Sequence, residues 1–179
     1  VPSYSLAHSG TGYAGFLGYS QGQSSESIGQ QLANPLLPNI TYTLSFYAKK
    51  PIGGYYPNTC GGIEIYGFKS NMPNDALNIH LSTVSNSIFL GRSSPNTDTA
   101  WKEYQVIFIP TDTIYYIAFT NEKVNTCEQY TFIDDILLSD GSMSISEFSP
   151  TFTEFEVFPI PSSGEVYIRG KRIIKNIIV

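Results

Sequence analysis

Charged side chains are scarce in this chain, at 14% of its 179 residues. That share is low for a cytosolic protein. The polar surface must come from Ser, Thr, Asn and Gln, which suits a secreted β-protein. Basic residues are fewer than acidic ones, the net charge is −5 and the pI is near 4.9. No basic stripe interleaves with aromatics, which argues against nucleic acid as a partner. The one basic cluster, "RGKRIIK" from Arg169 to Lys175, reads as a solvated turn between strands. No run of ~18 apolar residues exists, so the sequence offers no membrane-spanning helix. No signal peptide opens it either, and Val1 is expected to follow upstream chain.

Histidine and cysteine are equally sparse. His8 and His80 are the only histidines, and neither has a partner spaced for metal binding or nucleophilic catalysis. G-x-S-x-G, H-E-x-x-H and P-loop patterns are absent. The acids are scattered, so no hydrolytic carboxylate pair stands out. The expectation is a protein without catalytic activity. "GTGYAG" from Gly10 to Gly15 fits G-x-G-x-x-G, but "FLGYSQGQSS" follows it and is no helix. Dinucleotide binding is rejected, and the glycines are read as a twisted, closely packed strand. Cys60 and Cys127 are the two cysteines. In an extracellular setting they are expected to form a disulfide, worth ~4 kcal/mol on chain-entropy grounds. The alternative is two buried thiols.

Aromatic and apolar residues are plentiful, at 14% and 41%, enough for a sizeable core. Their spacing has period 2. "ITYTLSFYAK" puts Tyr42, Leu44, Phe46 and Ala48 on one face, as a half-buried antiparallel strand does. "GIEIYGFK" repeats this with Ile63 and Ile65 inward. "LNIHLST" and "SIFLG" are shorter strand candidates, with His80 a structural strand residue. "KEYQVIFIP" and "TIYYIAFT" turn apolar on both faces and are expected to lie centrally, and "YTFIDDILL" closes the set. No window shows a helical period. Long loops rich in Gly, Pro and Asn connect the candidates. The fold class is therefore all-β, an antiparallel two-sheet jelly-roll sandwich, over residues 1–140. Residues 141–153 are a Ser/Thr-rich linker. Residues 154–179 hold the strand pair "FEVFPIP" and "GEVYIRG" and the start of another, an incomplete β module. The alternative is an extension packed on the first domain.

Two features bear on binding. In "FIDDILL" neighbouring residues face opposite sides of a strand, so either Asp134 or Asp135 is expected to point into the core. A buried carboxylate needs donors or a cation. Calcium at the strand end is one solution and a hydrogen-bond network is the other. Loop aromatics Tyr55, Tyr56 and Trp101 are candidates for a sugar-stacking platform, with rim packing as the alternative.

Four stretches, "HSGTGYAGFLGY", "IGQQLANPLLPNITYTLSFYAK", "WKEYQVIFIPT" and "YTFIDDILL", together resemble Bacteroidetes extracellular domains of the galactose-binding-like jelly-roll type. The resemblance covers roughly residues 2–139. Asn39 stands where that family has Gly. The resemblance implies a strand ahead of Val1 and assigns Asp134 to a structural calcium site. "VFPIPSSGEVYIRG" resembles the start of a type A sorting domain of type IX secretion, through Pro159, Pro161, Ser163 and Gly164. Ile160 replaces the usual Asn. This implies export through the outer-membrane translocon, with shuttle or attachment proteins as partners, and a cell-surface or extracellular location. The triplets at Asp98–Ala100 and Asp112–Ile114 resemble the Bacteroidetes O-glycosylation pattern, which points to Thr99 and Thr113. The function implied is a binding or adhesion module or a passenger of the secretion machinery. The alternatives are a carbohydrate-binding module of a larger glycoside hydrolase and a spacer domain of an adhesin.

Overall fold

The computed structural model describes residues 6–18, 25–52, 61–70, 80–124 and 128–141, and the backbone of two further strands, 155–158 and 167–170. It forms two compact units, Val1–Ser142 and Met143–Val179. In the second unit β9 (Phe155–Phe158) pairs antiparallel with β10 (Tyr167–Gly170), the strand pair expected there. The sorting-motif residues Pro159, Pro161, Ser163 and Gly164 lie outside the described residues.

The first unit is a two-sheet antiparallel sandwich with four strands in each sheet. Sheet one has the order β1-β8-β3-β6, from β1 (Ala14–Leu17), β8 (Tyr130–Asp140), β3 (Tyr42–Lys49) and β6 (Lys102–Phe108). Sheet two has the order β2-β7-β4-β5, from β2 (Ser27–Leu36), β7 (Ile114–Asn121), β4 (Ile63–Phe68) and β5 (Ser87–Arg92). The alternation in β3 does what period 2 requires: Tyr42, Leu44, Phe46 and Ala48 are all buried between the sheets. Ile63 and Ile65 of β4 meet them from the other layer, with Phe119 and Ile114 of β7. Phe46 stacks on Tyr104 and meets Phe119 edge-on, so aromatic pairs from three strands key the two layers together.

Two expectations are corrected. β6 is an edge strand, not a central one. Its Tyr104, Val106 and Phe108 face the core, while Ile107 on the other face is 62% exposed. The apolar outer residues that suggested burial are simply solvated. β7 does lie centrally and is buried on both faces over its second half. "LNIHLST" does not contribute a strand at His80. Leu81–Thr83 form a 3-10 turn, and His80 caps it by accepting from the Ser82 N–H. That turn covers the outer face of sheet two, where Leu81 packs on Tyr66, Phe68 and Ala118. "SIGQQLANPL" forms the ten-residue β2 although its side chains are mostly exposed. An edge strand with one wet face carries little apolar signal.

Only the end of the glycine-rich opening is a strand, which corrects the expectation: residues 10–13 are turn and coil, with Gly10 at φ 59°, and β1 begins at Ala14. A Cβ on Gly15 would sit 2.8 Å from the Tyr130 ring, so any larger residue there would force that ring to shift, and glycine lets β1 lie under it as it stands. Asn39 adopts φ 63° in the turn before β3. The position requires left-handed backbone, which Asn tolerates better than most residues other than glycine.

Candidate functional site

The outer face of sheet one holds the chemistry. Its key feature is a β-bulge in β8. Tyr47 of β3 faces Asp134 and Ser45 faces Leu137, so one extra residue of β8 is inserted between them. Asp135 takes φ 47° at this point. The bulge overturns the expectation that one carboxylate of the pair enters the core. Ile133 points inward, Leu138 packs against the core as well, and the alternation breaks between them. Both carboxylates are left at the surface corner.

There they hold the N-terminal segment. Asp134 accepts from the backbone N–H of His8 at 2.8 Å and of Ser9 at 3.3 Å, and from Asp135 N–H at 2.9 Å. Asp135 accepts from Ser9 Oγ and lies 2.6 Å from His8 Nδ1. These hydrogen bonds hold the Asp135 carboxyl below the usual carboxylate range. The shell around Asp134 consists of donors. A calcium ion needs converging oxygen acceptors, so the described residues around Asp134 do not fit that ion. Among the described residues, no group of three or more His, Cys, Asp or Glu converges.

The tethered segment completes an aromatic block. The His8 ring stacks on Tyr47 with centroids 3.6 Å apart and planes at 14°. Trp101 meets Tyr13 edge-on at 5.6 Å, and Tyr13 meets Phe132 at 4.9 Å. Trp101 donates its indole N–H to the Leu6 carbonyl at 2.9 Å. Lys49 places its ammonium 4.0 Å from the Trp101 ring centroid and donates to the same carbonyl at 3.2 Å. Burial lowers the Lys49 pKa, and the nearby Asp134 charge partly offsets this. Trp101 is thus a half-buried hub within the block.

Beyond the block the β8–β3–β6 face carries rows set by the register. Asp134, Tyr47 and Glu103 form one row, Leu137, Ser45 and Gln105 the next, then Ser139, Thr43 and Ile107. Hydroxyls, an amide and carboxylates alternate with apolar flanks. Tyr55 and Tyr56 lie outside the described residues, as do Cys60 and Cys127. Thr99 is exposed in the loop before β6, and Thr113 is half-buried in the turn before β7. The Asp of each triplet is ion-paired: Asp98 with Lys102 at 3.1 Å, and Asp112 with Lys69.

Two polar clusters were not legible beforehand. At one end of the sandwich Asn121 is fully buried. Its Oδ1 accepts from Gln129 Nε2 at 2.7 Å and from Thr131 Oγ1 at 2.6 Å, and its Nδ2 donates to the Phe16 carbonyl at 3.2 Å. Gln129 in turn accepts from the Gly61 N–H. The partners come from β1, β7, the start of β8 and a loop, and no local pattern announces them. On sheet two Glu64 accepts from Tyr66 Oη at 2.8 Å and lies 3.6 Å from His80 Nε2. Arg92 bridges toward Glu122. Burial, then the Glu64 bond, raise the Tyr66 phenol well above its usual range. His80 Nε2 also faces the Asn121 carbonyl at 2.9 Å, so this histidine is structural, as expected.

No family model matches the chain, and a search of curated proteins finds no match. Solved structures do align. One, described as "CBM4 structure and function", has a TM-score of 0.40 and 14% identity, covering 72% of this chain and 94% of its own. Another, described as "PbXyn10C CBM APO", has a TM-score of 0.37 and 14% identity, covering 92% and 91%. The chain is a β-sandwich similar in layout to these carbohydrate-binding modules. At that distance the likeness speaks of strand layout and not of a ligand.

Proposed function

We propose that the chain is a non-catalytic glycan-binding module that uses the outer β8–β3–β6 face. One observation carries this: the register sets Ser45, Gln105, Glu103 and Asp134 beside Tyr47, on a sheet face braced by a ready-made aromatic block. Sugars present apolar C–H faces and hydroxyl edges; Ser45, Gln105 and Glu103 offer partners for the hydroxyls and the exposed Leu137 and Ile107 for the C–H faces, beside Tyr47, one face of which His8 already covers. Hydrogen bonds to neutral sugars add only about 0.5–1.5 kcal/mol each, so binding is expected to be weak and to favour long chains. The test is affinity electrophoresis of the protein in gels containing soluble β-glucans, xylans and mannans. Retardation in at least one gel, lost in Tyr47→Ala and Gln105→Ala but kept in Phe89→Ala on the other sheet, supports the proposal. No retardation across the panel overturns it.

The route outward is a second part of the proposal. The tail resembling a type IX sorting domain would deliver the module to the cell surface or the medium, and Thr99, in its exposed loop, would carry glycan rather than the half-buried Thr113. Expression in a Bacteroidetes host, with and without residues 143–179, tests this. Export that does not depend on the tail refutes it.

A further inference from the structure

Two groups of the glycan face are already engaged by the chain itself. His8 lies flat on the Tyr47 ring, with centroids 3.6 Å apart. Asp134 accepts the backbone N–H groups of His8 and Ser9 at 2.8 and 3.3 Å. Next to them the Leu6 carbonyl takes the Trp101 indole N–H at 2.9 Å and the Lys49 ammonium at 3.2 Å. Residues 6–9 thus offer what a sugar would offer there: a ring face to an aromatic, donors to a carboxylate, and an oxygen to an N–H.

Little apolar burial holds this stretch down. Leu6 is 89% exposed, and residues 8–12 are exposed as well. The grip is a set of hydrogen bonds and one ring stack, an attachment that opens locally while the core stays folded. Gly10 follows at φ 59°, with nothing within 4 Å of the place a Cβ would take. The backbone therefore has both the conformational freedom and the room to turn there.

We infer that residues 6–9 form an autoinhibitory strap across one end of the glycan face, a role that rests on the glycan-binding reading of that face. A ligand gains Tyr47 and Asp134 only by replacing what the strap gives them. Apparent affinity is then reduced by the fraction of molecules in which the strap is lifted.

The experiment uses the full chain in the same panel of polysaccharide gels. His8→Ala uncovers Tyr47 and alters no residue of the face itself. Its apparent affinity should rise at least about threefold, the gain expected where the strap is down in about two-thirds of molecules or more. His8→Phe keeps a ring on Tyr47 and should stay within about twofold of the wild type. Amide exchange at His8 and Ser9, followed by NMR, should quicken when soluble fragments of the retarding polysaccharide saturate the protein, because Asp134 is taken from both N–H groups. Unchanged or lower affinity in His8→Ala overturns the strap. So do equal gains in His8→Ala and His8→Phe, or unchanged or slower exchange at His8 and Ser9 in the complex. Any of these, with the wild type retarded, refutes the strap alone and leaves the glycan face standing. Absence of retardation for the wild type and both variants in every gel overturns the two together.

Discussion

Replacing Asn121 by alanine should unlock one end of the sandwich. The side chain is fully buried and satisfies Gln129, Thr131 and the Phe16 carbonyl. Each buried group left without a partner costs about 1–3 kcal/mol. The three will not add in full. Thr131 keeps its contact from Asn96 Nδ2 at 3.4 Å, and a water can enter a polar void of this size. A loss of about 3–5 kcal/mol is expected, at the upper end for single substitutions. For a domain of this size that is roughly 10–15 °C in Tm. Urea denaturation followed by the single tryptophan, Trp101, gives the midpoint and the slope. The slope should stay constant while the midpoint falls. Asn121→Asp provides a second axis. It keeps an acceptor but buries a carboxyl, whose folded-state pKa burial raises above the unfolded value of about 3.9. Stability relative to wild type is then least impaired below that value and declines as pH rises through the raised folded pKa, whereas the alanine variant shows a pH-independent loss. A cost below about 1 kcal/mol for Asn121→Ala would refute the view that this network holds the sheets' end together.

Three further outcomes are expected. The Asp135 carboxyl is depressed by its bonds from His8 and Ser9, so its contribution is present above the unfolded value of about 3.9 and lost as pH falls through the lower folded value; Trp101 fluorescence should report release of the N-terminal segment with a midpoint below that value, and a transition above it, or one unchanged in Asp135→Asn, would count against the tether. EDTA should leave the melting temperature unchanged, because Asp134 is surrounded by donors; a fall in Tm that Asp134→Ala abolishes would restore a calcium site. Asn39→Gly should raise stability by up to about 1 kcal/mol, since φ is 63° there, and Asn39→Val should lower it; thermal melts decide both.

β3 was legible from sequence because alternation and burial coincide over most of it, and β4 was recognised from its Ile63–Ile65 alternation although it is buried on both faces beyond Glu64. β6 was placed too deep, because Ile107 and Ile109 look like core residues and are more than half exposed. Composition cannot tell a solvated isoleucine from a buried one. "FIDDILL" drew notice for the right reason, two carboxylates on consecutive strand positions. Its resolution was hidden, because a bulge depends on the partner strand. The Asn121 network was invisible for the same cause, since its partners lie up to 105 positions away. Trp101 stood out as a loop aromatic, but the use of its N–H by Leu6 depends on a distant segment folding over it.

Asp135 can also be viewed as a removable residue. Without it, β8 would alternate in one unbroken series, Ile133 in, Asp134 out, Ile136 in, Leu137 out, Leu138 in. A chain lacking this aspartate would keep both faces of the strand and the whole core. It would lose the Asp135 contacts to the His8 ring and the Ser9 hydroxyl, while Asp134 would keep its acceptors for their backbone N–H groups. The side-chain half of the N-terminal arm's attachment is therefore a one-residue module, one that insertion or deletion could add or strip while Asp134, Tyr47 and Trp101 go on holding the arm.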